Sequence, residues 1–263
     1  MEIKYKLIAL DVDGTLLTDD HQLLDEVREA VREAAGKGAE IVLCTGRGPM
    51  GAFPVLEELG LSGTLITHNG AATVQSVDRS VLFQYDIDQR YIGEFISYCR
   101  EFDIHYDLNT AFEMMVEKMT PEAAEMYKIH QAEPTVMSNG QQLPSGLVKL
   151  TLFGTKESMD FVQSYWEKRQ TPLQIIRSGD LFIDVQHPGA SKGEALRQLA
   201  EGRGIPREKI LAIGNYFNDI SMLQFAGLGI AMDNSPELVK EAADVVTGSN
   251  NDSGVASAIR AYI

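Results

Sequence analysis

A chain of 263 residues is long enough for one large domain or two modest ones, each with its own core. Its formal net charge of −15 at pH 7 argues against nucleic acid or an anionic membrane surface as partner, while leaving room for a local cationic pocket that binds a phosphate. The two cysteines, Cys44 and Cys99, lack metal-ligand spacing and read as buried thiols of a reducing compartment. The short charged amino terminus reads as neither signal peptide nor spanning helix, so a cytoplasmic location is expected.

Leu7 to Leu10 is a short apolar run without alternation, which predicts a strand buried on both faces of a parallel sheet. Such strands deliver function at their carboxyl ends. Asp11 and Asp13 lie two apart where this one stops, so period-two alternation is expected to aim both at one mouth, with Gly14 freeing the turn and Thr15 offering a hydroxyl. The plain alternative is a strand followed by an Asp-Gly turn. Val27, Ala30, Val31 and Ala34 recur at helical spacing, and a second apolar strand, Ile41 to Cys44, ends in Thr45-Gly46-Arg47-Gly48. Arg47 reads either as a phosphate or substrate ligand or as one half of a surface salt bridge. A helix around Val55 to Leu59 and a strand from Thr64 to Thr67 follow, then His68-Asn69-Gly70. Asn69 is open to two readings there, a hairpin turn or a group at the site mouth.

After the short strands Ala72 to Gln75 and Val81 to Tyr85, the order turns from β/α alternation to α+β. Helices are expected from Asp88 to Phe102, Pro121 to Gln131 and Glu157 to Arg169. Strands are expected near 104–108, 113–117, 147–153, 173–177 and 182–186, with a loose stretch around Pro134, Asn139-Gly140 and Pro144. Trp166 reads as core, and Asp107, Glu113 and Arg177 as solvated charges. Alternation returns at Ser191-Lys192-Gly193, where Ser191 is a candidate N-cap. Lys192 sits at the positive end of a helix dipole, which suits a cation only if an anion is shared there or if the side chain is solvated. The apolar strand Ile210 to Ile213 then runs into Gly214-Asn215-Tyr216-Phe217-Asn218-Asp219, whose last two residues also read as a capping pair. The expected architecture is α/β: a Rossmann-like, doubly wound parallel-sheet core formed by residues 1–82 and 188–263, with an inserted smaller α+β domain at 83–187.

These strand-end clusters, taken jointly, resemble the haloacid dehalogenase superfamily. Asp11-Val12-Asp13-Gly14-Thr15 matches its first motif, Thr45 its second, Lys192 its third, and Gly214-Asn215-x-x-Asn218-Asp219 its fourth. The opening Asp-x-Asp-Gly-Thr-Leu and the late Ser-Lys-Gly are similar to Cof-type phosphatases, and the insert is similar to their C2-type cap. The resemblance implies a Mg2+-dependent phosphatase of small phosphorylated metabolites, sugar phosphates first. Asp11 would be the nucleophile that forms a phosphoaspartate, and Asp13 the general acid and base. Gly14, Thr45, Gly46, Arg47, Asn69, Lys192 and Asn218 would hold substrate, and Asp11, Asp13, Asn215 and Asp219 would hold the metal. A carboxylate attacks an anionic phosphomonoester only if cations and fixed donors neutralise the phosphoryl oxygens, which accounts for these residue types. A phosphomutase on the same core, or a phosphoaspartate receiver that does not turn over, would use similar groups. The fourth motif usually begins Gly-Asp, whereas this chain reads Gly214-Asn215. Asn215 is therefore expected to keep the ligand position by its carbonyl oxygen, with Asp219 carrying more of the charge and Mg2+ bound more weakly.

Overall fold

The structure is a computed structural model that describes residues 3–129, 132–138 and 140–263. The chain divides into two compact units, Met1–Phe83 with Ser191–Ile263, and Gln84–Ala190. In chain order the strands are β1 (Leu7–Leu10), β2 (Glu40–Cys44), β3 (Thr64–Thr67), β4 (Ala72–Gln75), β5 (Val81–Gln84), β6 (His105–Asn109) and β7 (Met114–Val116). They continue with β8 (Thr135–Val136), β9 (Lys149–Phe153), β10 (Gln174–Arg177), β11 (Phe182–Gln186), β12 (Ile210–Gly214), β13 (Leu228–Ala231) and β14 (Val245–Val246).

The first unit carries one sheet in the order β14-β13-β12-β1-β2-β3-β4-β5. From β14 to β3 the pairs are parallel, and β4 turns back antiparallel on β3. This is a doubly wound, Rossmann-like sheet, with β1 at its centre and every residue of β1 fully buried. Leu7 and Ala9 pack on one face with Val42, Cys44 and the apolar side of the helix Lys192–Arg203. Each large aliphatic side chain buried in this way contributes roughly 1.5–3 kcal/mol of transfer free energy, which fixes where the strand ends. Both cysteines are buried free thiols. Among the described residues no helix is long and apolar enough to cross a membrane.

The helix expected near Val55 begins earlier and spans Pro49–Glu58, because Pro49 occupies the first helical turn, where a missing N–H costs nothing. The stretch read as loose contains β8, a two-residue strand parallel to β7, too short to leave a pattern in sequence. The expected helix at Pro121 runs to Ile129; its last positions, His130 and Gln131, and the turn residue Asn139 lie outside the described residues.

The second unit has a sheet in the order β10-β11-β9-β6-β7-β8. Tyr106, Leu108, Leu150, Leu152, Ile183 and Val185 pack on one face with Phe95, Val162 and Trp166, and the Phe95 and Trp166 rings stack. The opposite face is polar and nevertheless buried. Asp107 pairs across with Thr151 and Thr151 with Asp184, while Asn109 pairs with Lys149 and Lys149 with Gln186. Asp107 is thus no solvated charge: Asn109 Nδ2 donates to its Oδ1 at 2.6 Å and the Tyr127 hydroxyl to its Oδ2 at 3.0 Å. Burial pushes the Asp107 carboxyl up to about 6, against the pull of Lys149, Asn109 and Tyr127.

A carboxyl with a raised folded pKa holds its proton in the native chain at pH values where the unfolded chain has released it. Stability is therefore full below the unfolded value and falls as pH rises through the folded one, here between about 4 and about 6. Asp107→Asn should remove this slope, worth on the order of 2–3 kcal/mol. Urea-unfolding midpoints at pH 4.5 and 7.5 check it, and parallel pH profiles for the two proteins would refute it.

Candidate active site

In the first sheet the chain leaves β1 toward β2 and β3 on one side, and β12 leads to β13 and β14 on the other. The crevice outside the carboxyl ends of β1 and β12 is therefore the topological switch point, where open α/β sheets bind ligands. Asp11 follows β1 directly and its N–H donates to Ile213 O at 3.0 Å, which sets it beside the end of β12. Asn215 follows Gly214 on the other side of the crevice.

Lys192 joins these ends. Its side chain is wholly buried, and Nζ donates to Asp11 Oδ1 at 2.7 Å and to Asp219 Oδ1 at 2.6 Å. The side chain starts the helix Lys192–Arg203, where the Ser191 hydroxyl accepts from Glu194 N at 3.1 Å as the expected N-cap. The helix dipole opposes an ammonium there, so the two carboxylates have to offset both the dipole and the lost hydration. Gly70 lets the helix start come close: it has φ +92°, and a Cβ on it would lie 2.1 Å from Ser191 O. Burial acts against the Lys192 charge, yet the attraction of Asp11 and Asp219 outweighs it and holds the ammonium above the usual lysine value. Asp11 behaves differently. Burial and the neighbouring Asp219 carboxylate push it up to about 7, further than Lys192 pulls it down. One lysine shared between two buried carboxylates offsets only part of that push.

Asp219 is placed as a brace. Its Oδ2 accepts from Asn215 N at 2.8 Å and Tyr216 N at 2.9 Å, bonds that run back into the loop rather than onto the helix Ile220–Phe225 that the capping reading expects it to serve, and its Oδ1 takes Lys192. Its bonds run to the lysine and the loop backbone, so the expectation that Asp219 makes up ligand charge for Asn215 does not fit its geometry.

Three other oxygens do converge. The inward atom of the Asn215 amide lies 3.0 Å from Asp11 Oδ2, 3.1 Å from the Asp13 carbonyl oxygen and 3.1 Å from Thr15 Oγ1. With Oδ1 inward it accepts from the Thr15 hydroxyl. Adjacent oxygens of a Mg2+ octahedron with bonds of about 2.0–2.1 Å are separated by about 3 Å, so Asp11 Oδ2, Asp13 O and Asn215 Oδ1 fit the cation as neighbouring ligands. Among the described residues no three His, Cys, Asp or Glu side chains form a metal cluster, because two of these three oxygens are amide carbonyls. Gly14 shapes this loop: it has φ +73°, and a Cβ on it would lie 2.4 Å from Asn215 Nδ2.

The carboxylate of Asp13 has a partner of its own. β1 stops at Leu10, so strand alternation no longer governs residue 13, and only its backbone oxygen joins the cluster. Its side chain is gripped by Arg47, with Nε 2.8 Å from Oδ2 and Nη2 2.5 Å from Oδ1, while Nη1 donates to Gly51 O at 3.0 Å. Arg47 is thus engaged in the salt bridge and positions Asp13. His21 Nδ1 stands 3.5 Å from Asp13 Oδ1, a neighbour that sequence reading missed because nothing but the fold brings it there.

Thr45 is buried, and its Oγ1 accepts from Arg47 N at 3.0 Å, leaving the hydroxyl proton to donate. The backbone beyond Gly46 is pinned by Asn69 N donating to Thr45 O and His68 N to Arg47 O, both at 3.0 Å. Asn69 sits at φ +55° in the turn joining β3 to β4, as its turn reading expects, and its Oδ1 accepts from Asn218 Nδ2 at 2.9 Å. Asn218 Oδ1 is buried without a hydrogen-bond partner. Asn234, also missed, donates to Gly14 O at 2.9 Å from beyond β13.

Breaking the Lys192 bridge should be costly in a pH-dependent way. Lys192→Met leaves two buried carboxylates facing each other, and about 3–5 kcal/mol of stability should be lost at pH 8. Less should be lost near pH 5, where Asp11 takes up a proton. Unfolding midpoints at the two pH values test this, and an equal loss at both would refute it.

A family model of haloacid dehalogenase-like hydrolases matches residues 8–259. The chain is 34% identical to the 5-amino-6-(5-phospho-D-ribitylamino)uracil phosphatase YcsE of Bacillus subtilis (strain 168), over 100% of this chain and 97% of that one. It is 28% identical to the pyridoxal phosphate phosphatase YbhA of Escherichia coli (strain K12), over 98% of each. A haloacid dehalogenase-like hydrolase from Bacteroides thetaiotaomicron has the same fold, with a TM-score of 0.89 at 28% identity, covering 99% of this chain and 100% of that one. With a family match that spans all four strand-end clusters and a relative of that identity along its whole length, the chain belongs to the haloacid dehalogenase-like hydrolases, as a phosphatase of the Cof type.

Proposed function

We propose that the chain hydrolyses phosphomonoesters of small metabolites, sugar and polyol phosphates first, through a phosphoaspartate on Asp11. The observation that carries this is the two-sided environment of that carboxylate: Oδ1 on a buried ammonium and Oδ2 in a cradle of oxygens. The phosphorylated ribityl group in the name of the B. subtilis relative supports the polyol class, and the E. coli relative supports a range of small phosphorylated metabolites.

Asp11 Oδ2, Asp13 O and Asn215 Oδ1 are the atoms that would hold Mg2+, which when bound supplies charge that neutralises phosphoryl oxygens and keeps Asp11 ionised. Asp11 attacks phosphorus as the ester P–O bond breaks, and the leaving alkoxide takes the proton carried by Asp13. Water then attacks the phosphoaspartate and gives its proton to Asp13, which restores both acids and frees phosphate. The Lys192 ammonium and the Thr45 hydroxyl hold the phosphoryl group between these steps. Arg47 grips Asp13 through both oxygens, an arrangement that suits the carboxylate; as the acid, Asp13 gives up one arm of that fork.

Steady phosphate release from p-nitrophenyl phosphate tests the reading. Asp11→Asn should lower it at least about a thousandfold, as loss of a covalent nucleophile does. Stoichiometric labelling without turnover would overturn hydrolysis. Because Asp11 titrates at about 7 without a cation, Mg2+ below that pH has to displace its proton. Mg2+ affinity should fall roughly tenfold per pH unit below 7 and level off above it. Calorimetric titrations at pH 6, 7 and 8 would show proton release on binding at the lowest pH, and a flat profile would contradict the assignment.

A further inference from the structure

We propose that Asn215 stands in for the cation: without metal its amide turns nitrogen-inward and ties Asp11 to the Asp13 carbonyl, and metal entry turns the same amide oxygen-inward. The proposal rests on the reading that the three converging oxygens hold Mg2+.

The geometry is the same for both states. Whichever amide atom faces in stands 3.0 Å from Asp11 Oδ2 and 3.1 Å from Asp13 O and from Thr15 Oγ1. Oxygen inward with no cation and Asp11 ionised sets Asn215 Oδ1 against Asp11 Oδ2 and Asp13 O with only the Thr15 hydroxyl donating to it, which is repulsive. Nitrogen inward places two N–H donors against three acceptors, so each proton of the amide finds a partner. The half-turn exchanges atoms of similar size and displaces nothing. Thr15 is suited to either state, because its hydroxyl donates to Asn215 Oδ1 in one and accepts from Nδ2 in the other. Gly14 leaves space for the outer amide atom, whose present occupant, Nδ2, would be 2.4 Å from a Cβ there.

A carboxylate at this position could not do the same. Its two oxygens are alike, so when both acids are ionised either orientation would set it against Asp11 Oδ2 with no donor between them. The amide therefore gives up ligand charge and gains a metal-free state in which the site is closed by hydrogen bonds. Metal then competes with those bonds and binds more weakly and more reversibly.

Two measurements test this. In EDTA, Asn215→Asp should melt at least about 3 °C below wild type and should bind Mg2+ roughly tenfold more tightly, with the melting gap closing in saturating MgCl2. In the unmodified chain, the Asn215 side-chain NH2 resonances, identified by their loss in that variant, should be protected from solvent exchange in EDTA and should shift and lose protection on titration with MgCl2. Equal melting of the two proteins in EDTA, or amide signals indifferent to saturating Mg2+, would overturn the proposal while leaving the phosphatase reading intact. Absence of Mg2+ binding by calorimetry would overturn it together with the metal site on which it rests.

Discussion

A fully buried ammonium, Lys192, between Asp11 and Asp219 is the constraint on which the rest of the site depends. It ties the end of β1 and the loop after β12 to the start of one helix, although the partners are far apart in the chain. Such a bridge contributes little net stability, because taking three charges out of water costs about as much as their attraction returns. What it supplies is position: the ammonium holds Asp11 and Asp219 on either side of it. It also leaves the trio one positive charge short. Burial first and that deficit second push the Asp11 carboxyl up against the pull of the lysine, and on the proposed reading a cation in the oxygen cradle beside Asp11 would offset both.

The central strands were legible because a strand buried on both faces in a parallel sheet leaves an unbroken apolar run, as β1, β12 and the Ile41 to Cys44 part of β2 do. Their carboxyl ends carried the site residues, since the switch point collects them there. Side-chain direction was less legible. Alternation would aim Asp13 with Asp11, but the strand has already ended at Leu10, and what holds the Asp13 carboxylate is the Arg47 fork. Nothing local announces a pair formed 34 residues apart. Nor does the spacing of Asn218 and Asp219 say that one braces Lys192 while the other reaches Asn69.

Asp107 illustrates the opposite failure. A polar residue alternating with apolar ones in a strand is ordinarily the solvent-facing half, and β6 reads that way in isolation. Its neighbours in β9 and β11 place polar groups at the same height, so the face is polar across three strands and buried as well. Polar groups are tolerated there because they bond one another, and the cost appears as a carboxyl displaced upward in pKa.

The neutral residue at position 215 changes the electrostatics of the site more than its coordination. Asp219 does not compensate, because its oxygens are committed to Lys192 and to the backbone N–H groups of Asn215 and Tyr216. A carboxylate at 215 would leave the buried cluster two positive charges short, a deficit that metal or additional protons would have to meet. An amide leaves it one short, and Asp11 meets that deficit by taking a proton or by accepting a cation. On the proposed reading the same atom positions would close the site by hydrogen bonds without metal and would offer three hard oxygen ligands to Mg2+.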